Sequence, residues 1–160
     1  MRLEELNFKR NIAFVSSLFC ALSIELIAEN LGVNGAFLPN VTMCIVFGFG
    51  YLKPISLWIV ALAVIVSESF FSTTPTLMSF LIILSYFVIS FFVGRGGFRQ
   101  RNFHIIIFLL LTIVIYSTKI LWLFLYNMRP EVNYIMVKML MTILFFPLFY
   151  ISINKFLKLY

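Results

Sequence analysis

Long apolar runs alternate with short polar or helix-breaking segments over the whole chain. A helix needs about 20 mostly apolar residues to cross the hydrocarbon core of a bilayer. The pattern therefore predicts an all-α, polytopic membrane protein, a bundle of about six transmembrane helices forming a single integral membrane domain over residues 1–160. The predicted spans are residues 11–28, 37–52, 55–71, 76–93, 103–126 and 132–153.

The second and third runs are short, and Lys53-Pro54 separates them. Proline lacks a backbone N–H and restricts the residue before it, so a helix ends there. Two interpretations follow, either two short spans or one re-entrant or bent pair, and we favour six spans in all. The first run carries Glu25 near its end and lacks an Ala-x-Ala cleavage pattern, so we expect a retained first helix.

The composition indicates a bilayer environment. Hydrophobic residues make up 62% of the chain and charged residues 11%, whereas soluble proteins carry about 25% charged residues. A soluble domain of this size cannot bury that much apolar side chain. The net charge of +6 therefore indicates membrane orientation and contact with anionic lipid, and we expect no nucleic-acid partner.

Basic residues are concentrated in every second connection between the runs. If the N-terminus is cytoplasmic, Arg129 is the only basic residue in the outer connecting segments. Cytoplasmic segments of membrane proteins are enriched in Lys and Arg, so the sequence predicts that the N-terminus and the C-terminus are both cytoplasmic. The basic residues on the predicted cytoplasmic side are Arg2, Lys9, Arg10, Lys53, Arg95, Arg99, Arg101, Lys155 and Lys158.

Charged residues also lie inside the predicted spans. At a rise of about 1.5 Å per residue, Glu25, Glu68, Lys119 and Lys138 all fall near the outer leaflet, although they come from four different runs. An intramembrane charge is costly unless it is paired. One hypothesis is a polar cluster, facing the bundle interior or an outward-opening cavity, where a partner segment or small ligand docks. The alternative is that these side chains snorkel to the headgroups.

The sequence contains no recognisable catalytic or metal-binding pattern. It has no aspartate, and its one histidine, His104, falls at the start of the fifth run, where we expect it at the membrane interface. Cys20 and Cys44 lie in apolar runs without a Cys-x-x-Cys pattern, so we expect two small buried hydrophobic residues. We therefore predict a non-enzymatic protein without a cofactor or metal.

Landmarks spread along the chain form a further pattern. They are the proline-opened second run (Pro39-Asn40-Val41-Thr42), the basic turn Lys53-Pro54 followed by Trp58, the loop 95–101, and a final run with Thr142, Pro147 and a basic tail. Together they resemble the rod shape-determining protein MreD family of bacteria. The Gly-Leu-x-x-Asp segment of that family corresponds to residues 64–68 here, where Glu68 replaces the aspartate.

The resemblance implies a non-enzymatic scaffold of the cell-wall elongation machinery, located in the bacterial cytoplasmic (inner) membrane and involved in rod cell-shape determination. It implies an MreC-like bitopic protein, a RodA-like glycosyltransferase with its transpeptidase, and the actin-like MreB as partners. In that role Arg95, Arg99 and Arg101 would contact membrane lipids or the cytoskeletal partner. The outer polar cluster would meet a juxtamembrane segment of a partner.

A second class of protein has a similar architecture, namely the substrate-binding membrane subunit of an energy-coupling-factor vitamin transporter. Ala13, Ser17 and Ala21 form a stripe of small residues that allows another helix to approach closely. In such a subunit the stripe would dock a coupling subunit. The short outer loops count against this alternative. Glu68 and Lys138 alone would also give a substrate-binding site very few polar contacts.

Overall fold

Helices make up almost all of the structure. The computed structural model describes residues 2–71, 76–94, 101–126 and 131–159, and these residues contain six α-helices and no β-strand, which confirms the all-α prediction. In chain order the elements are α1 (Arg2–Asn30), a 3₁₀ turn (Gly35–Phe37), α2 (Val41–Leu52), α3 (Leu57–Phe71), α4 (Thr76–Gly94), α5 (Arg101–Leu125) and α6 (Val132–Leu159).

Several of these helices are long and apolar enough to cross a membrane. Within the described ranges, α3 and α4 contribute shorter apolar stretches, Leu57–Ser67 and Leu77–Val93. Four longer segments support the membrane character of the chain, while the expectation of six spans stays a prediction. The four long apolar segments are Asn7–Asn30, Gly35–Leu52, Phe103–Leu125 and Val132–Leu157.

The ends of the helices follow from the local sequence. α2 begins at Val41 because the Asn40 side chain accepts a hydrogen bond from the Met43 backbone N–H at 2.9 Å, as an N-cap residue does. It ends at Leu52, since Pro54 follows two residues later. α1 and α6 extend beyond the predicted apolar runs into charged sequence, because Glu, Lys and Leu are good helix formers whether or not they face lipid.

α2 lies at the centre of the bundle. All its residues from Val41 to Tyr51 are buried, and 72% of the segment Gly35–Leu52 is enclosed, compared with 22% for the long apolar segments of α1, α5 and α6. The helix packs against α1, α3, α4 and α6. A helix that is apolar on every side fits a protein core or a membrane span equally well, so it is the contacts of α2 that identify it as the central helix. The 12 residues of α2 span only about 18 Å. The helices packed around α2 form the outer wall of the bundle.

Two glycines on α2 allow its neighbours to approach closely. A Cβ atom at Gly48 would lie 2.6 Å from the Ile153 Cδ1 atom of α6. A Cβ atom at Gly50 would lie 3.1 Å from two ring carbons of Tyr86 on α4. Small residues at such positions let helices pack against each other when the solvent is lipid.

The helices alternate in direction, so each end of the bundle collects one set of helix ends. Phe14 near the start of α1 packs on Phe49 near the end of α2, with ring centroids 5.4 Å apart. We call the end where α1, α3 and α5 begin the basic end, because Lys9, Lys53 and Lys155 lie there, and the opposite one the far end. The start of α1 and the end of α6 therefore share the basic end.

The outer wall presents large apolar side chains. Phe19 is 72% exposed, Leu125 70% and Leu144 65%, which is the pattern expected of a surface that faces lipid rather than water. The prediction that both cysteines are buried is half wrong. Cys44 lies in the core on α2, but Cys20 is exposed because it shares the outward face of α1 with Phe19.

Candidate functional site

An ion pair joins α1 to α6 at the far end. The Lys138 ammonium nitrogen lies 3.5 Å from the Glu25 carboxylate, and the two side chains are 17% and 5% exposed. This distance exceeds the roughly 2.7–2.9 Å of a tight charge-assisted hydrogen bond, so the contact is mainly Coulombic. Pairing offsets the cost of removing both charges from water. The pair therefore connects α1 to α6, two helices that both pack against α2.

A chain of hydrogen bonds lies beside this ion pair. The Asn40 backbone N–H donates to the Thr142 hydroxyl oxygen at 2.9 Å, and that hydroxyl donates to the Lys138 carbonyl at 2.7 Å. The Cys44 thiol points to the Thr142 carbonyl at 3.7 Å. We call Glu25, Asn40, Lys138 and Thr142 the far-end cluster. It fixes the start of α2 against one turn of α6.

The connection between α1 and α2 closes over the same end. Gly35 lies so near its neighbours that a Cβ atom there would be 2.8 Å from the Tyr134 hydroxyl oxygen and 3.0 Å from a Glu29 carboxylate oxygen. The Asn34 side chain accepts a hydrogen bond from the Ala36 backbone N–H at 2.9 Å and starts the 3₁₀ turn. Polar groups from α1 and α6 therefore surround this turn.

The structure brings together two of the four residues predicted for the outer polar cluster, Glu25 and Lys138. Lys119 lies half-buried on α5, which packs against α4 and α6. Glu68 belongs to α3, whose principal neighbours are α4, α1 and α2, but its side chain lies outside the described residues. A four-residue cluster, including the hypothetical pairing of Glu68 with Lys138, stays a prediction.

The predicted cytoplasmic contacts fall almost entirely outside the described residues. Arg95 and Arg99 are not among them. Arg101 is the first residue of α5, although its side chain is not described. Their proposed contacts with lipid or a partner therefore stay predictions.

His104 is buried among side chains of neighbouring helices. It is 6% exposed, its ring stacks on that of Tyr51 at a centroid distance of 4.8 Å, and its Nδ1 atom is 2.8 Å from the Tyr150 hydroxyl oxygen. The first turn of α5 presents this residue to α2 and α6, and the expectation that it lies at the level of the membrane interface stays a prediction. We call Tyr51, His104 and Tyr150 the basic-end cluster.

A tyrosine also holds the α2–α3 connection. The Tyr86 hydroxyl accepts a hydrogen bond from the Ile55 backbone N–H at 2.5 Å and donates one to the Ile55 carbonyl at 2.7 Å. Pro54 prevents this segment from continuing as a helix, so backbone groups are left without helical partners. One side chain on α4 satisfies two of them.

Two grooves open on either side of α1. The α1–α3 groove has a volume of about 400 Å³ and is lined by apolar side chains and Ser67. Trp58, which is 85% exposed, stands on its wall. The α1–α6 groove has a volume of about 380 Å³ and differs in having a lysine, Lys9, in its lining.

The small-residue stripe on α1 serves packing inside the fold. Ala13 and Ala21 are buried and Ser17 is half-buried, with its hydroxyl donating to the Ala13 carbonyl at 2.7 Å. Within the described part of the chain the stripe is therefore mostly covered by the bundle itself.

The most informative contacts were not predicted from the sequence. Asn40, which precedes an apolar run, carries the usual signal for a helix N-cap, and it marks the start of α2 at Val41, four residues after the predicted start of the run at residue 37. No comparable signal marks the contacts of Thr142, His104 or Tyr86, because each depends on which helices become neighbours. Among the described residues, no group of three His, Cys, Asp or Glu side chains is placed to hold a metal ion.

Comparison with known proteins does not assign the chain to a family. No family model, curated protein or solved structure matches the chain. The class that the structure supports is therefore an all-helical bundle with several helices able to cross a membrane.

Proposed function

We propose that this chain is a six-span membrane scaffold of the bacterial cell-wall elongation machinery, similar in role to MreD, with its basic end in the cytoplasm. The positions that carry the sequence resemblance support this proposal. The Asn40 backbone and Thr142 are hydrogen-bonded to each other, and Lys53-Pro54 lies in the connection held by Tyr86. These landmarks therefore have structural roles within one fold.

The observation that carries the proposal is the α1–α3 groove. Its walls are apolar, and the landmark residue Trp58 lines it with most of its surface exposed. In lipid, helices associate through close packing rather than through the hydrophobic effect. A concave apolar surface between two helices favours a complementary helix over mobile lipid tails. The partner that we propose for it is the single membrane helix of an MreC-like bitopic protein.

The other contacts of the proposed scaffold lie elsewhere. The loop with Arg95, Arg99 and Arg101 would meet anionic lipid or the actin-like MreB on the cytoplasmic side. A RodA-like glycosyltransferase and its transpeptidase would pack on the outer wall. The far-end cluster, whose Glu25 and Lys138 contact each other, would hold the bundle together instead of reaching a partner. No chemical step is assigned to the chain.

Filling the groove tests the proposal. Leu62 lines the α1–α3 groove and is 68% exposed, while Leu121 on α5 lies outside it and is 60% exposed. We expect Leu62→Trp to occupy the groove and reduce co-purification of an MreC-like protein at least tenfold, and cells that depend on this variant should become round. Leu121→Trp, a matched change on the outer wall, should preserve both partner recovery and rod shape.

Two results would overturn the proposal. One is normal rod shape after depletion of the native protein. The other is equal recovery of the MreC-like partner with Leu62→Trp and Leu121→Trp when both variants accumulate in the membrane. Membrane fractionation and gel filtration in detergent separate a folding defect from a lost contact.

A further inference from the structure

The α1–α6 groove differs from the α1–α3 groove in where it lies and in what lines it. Its wall on α1 is formed by Lys9, Ile12, Ala13 and Ser16, and its wall on α6 by Phe156. The positions on α1 follow the three- and four-residue spacing of one helix face. They extend about 10 Å along the helix axis, from the basic end toward the interior of the bundle.

The polarity of the groove changes along its length. Lys9 is exposed and lies at the mouth, whereas Ile12, Ala13 and Phe156 provide an apolar wall further in. The long apolar segment of α1 begins at Asn7. The mouth is therefore at the level expected for lipid headgroups and the deeper part at the level of the acyl chains.

The surrounding charges favour an anion at the mouth. Lys155, the residue before Phe156, is exposed at the same end of the bundle. The sequence also places Glu4 and Glu5 on α1, and Glu5 precedes Lys9 by four residues. A surface pair at that spacing contributes only about 0.3–0.5 kcal/mol, so a phosphate can compete for the lysine. A lysine near an anionic membrane surface contributes about 1 kcal/mol to lipid attraction.

We propose that the α1–α6 groove binds one anionic phospholipid of the cytoplasmic leaflet, with its phosphate at Lys9 and an acyl chain along Ile12, Ala13 and Phe156. A free phosphate would use only the mouth and leave the apolar wall unexplained. An uncharged apolar partner would leave Lys9 unexplained. The proposal rests on the membrane embedding proposed above but not on the role in wall synthesis.

Native mass spectrometry of the full chain in detergent tests the site directly. The probes are phosphatidylglycerol and phosphatidylcholine with identical acyl chains, together with inorganic phosphate as a competitor. We expect one phosphatidylglycerol molecule to remain bound in preference to phosphatidylcholine. Inorganic phosphate at millimolar concentration should not displace it, because phosphate makes no contact with the apolar wall.

Two pairs of variants locate the binding. Lys9→Gln should lower the affinity for phosphatidylglycerol about fivefold, whereas Lys53→Gln, at an exposed lysine of the same end outside the groove, should not change it. Ser16→Phe should fill the groove and abolish retention of the lipid. Ser117→Phe, at an exposed serine of α5, is the matched control. Because all four side chains are exposed, we expect the variants to fold, and circular dichroism checks it.

Several results would overturn the assignment. Equal retention of the two lipids would mean that the groove does not select charge. Equal losses with Lys9→Gln and Lys53→Gln would indicate attraction to the basic end as a whole. Displacement by inorganic phosphate would indicate a phosphate site at the mouth alone. Failure of this binding would leave the wall-synthesis role intact, since that role is tested by partner recovery and cell shape.

Discussion

The two ends of α2 are attached to the rest of the bundle by different kinds of contact. At the far end, the attachment is polar: Asn40 meets Thr142, and the Glu25–Lys138 pair lies beside them. At the basic end, the contacts are mainly aromatic, with Tyr51 stacked on His104. At the far end the hydrogen bonds are made by the start of α2 itself, whereas at the basic end rings pack on α2 and the Tyr86 hydroxyl bonds to the connection that follows it.

This difference has a physical reason. Apolar side chains gain little from helix–helix contact in lipid beyond close packing, since lipid tails are equally apolar. A hydrogen bond or ion pair, however, has few alternative partners in that solvent. In the proposed membrane setting, the far-end cluster would therefore determine which turn of α6 meets the start of α2. The aromatic rings at the basic end then add contact area in a register that is already set.

The largest expected effect comes from removing one charge of the far-end pair. Lys138→Ala takes away the cation beside the buried Glu25 carboxylate, and we expect a loss of about 3 kcal/mol in the free energy of unfolding, the lower end of the range for buried pairs. Unfolding in mixed detergent micelles measures it. Lys155→Ala, on the exposed side of α6, is the control and should have almost no effect.

A double-mutant cycle sharpens this prediction. If the pair determines the stability of the far end, Glu25→Ala should cost less in the Lys138→Ala background than in the wild type. Strictly additive losses would contradict a direct Coulombic contact between the two residues.

An intermediate effect is expected at the basic end. Tyr86→Phe leaves the buried Ile55 backbone N–H and carbonyl without the hydroxyl that both contact, and we expect a loss of about 2 kcal/mol. The same unfolding assay applies. Tyr126→Phe, at a tyrosine that is 59% exposed, should change the stability little. Equal effects of the two substitutions would show that the Tyr86 hydroxyl does not hold the connection.

The smallest effect is expected from the N-cap of α2. Asn40→Ala removes the acceptor for the Met43 N–H and should cost about 1 kcal/mol, while the Asn40 backbone N–H can still donate to Thr142. Asn40→Ser keeps an acceptor and should restore most of the stability. If serine proves no better than alanine in the same unfolding assay, the side-chain cap is not what fixes the helix start.

The sequence was informative about which segments are helical and about the shared level of Glu25 and Lys138. Apolar runs located all six helices, and the rise per residue placed Glu25 and Lys138 at one level, where the structure has them in contact. The central position of α2 could not be predicted. Where a helix is apolar on nearly every face, periodicity does not distinguish the inward face from the outward face.

The same argument explains the outcomes at individual residues. Cys20 and Cys44 occupy equally apolar runs, yet one is exposed and the other buried, because the rotation of each helix decides the outcome. The place of His104 in the chain indicated its level in the membrane but not whether protein side chains would enclose it. Its burial depends on Tyr51 and Tyr150, which come from two other helices.

Accessibility of single cysteines in intact cells tests the central claim, that the chain crosses the membrane with its basic end in the cytoplasm. In a background of Cys20→Ala and Cys44→Ala, a cysteine is introduced at Val33, which is 43% exposed at the far end, or at Lys53, which is exposed at the basic end. A membrane-impermeant maleimide should label the Val33→Cys variant in intact cells and the Lys53→Cys variant only after permeabilisation. Labelling of the Lys53→Cys variant in intact cells would contradict the account.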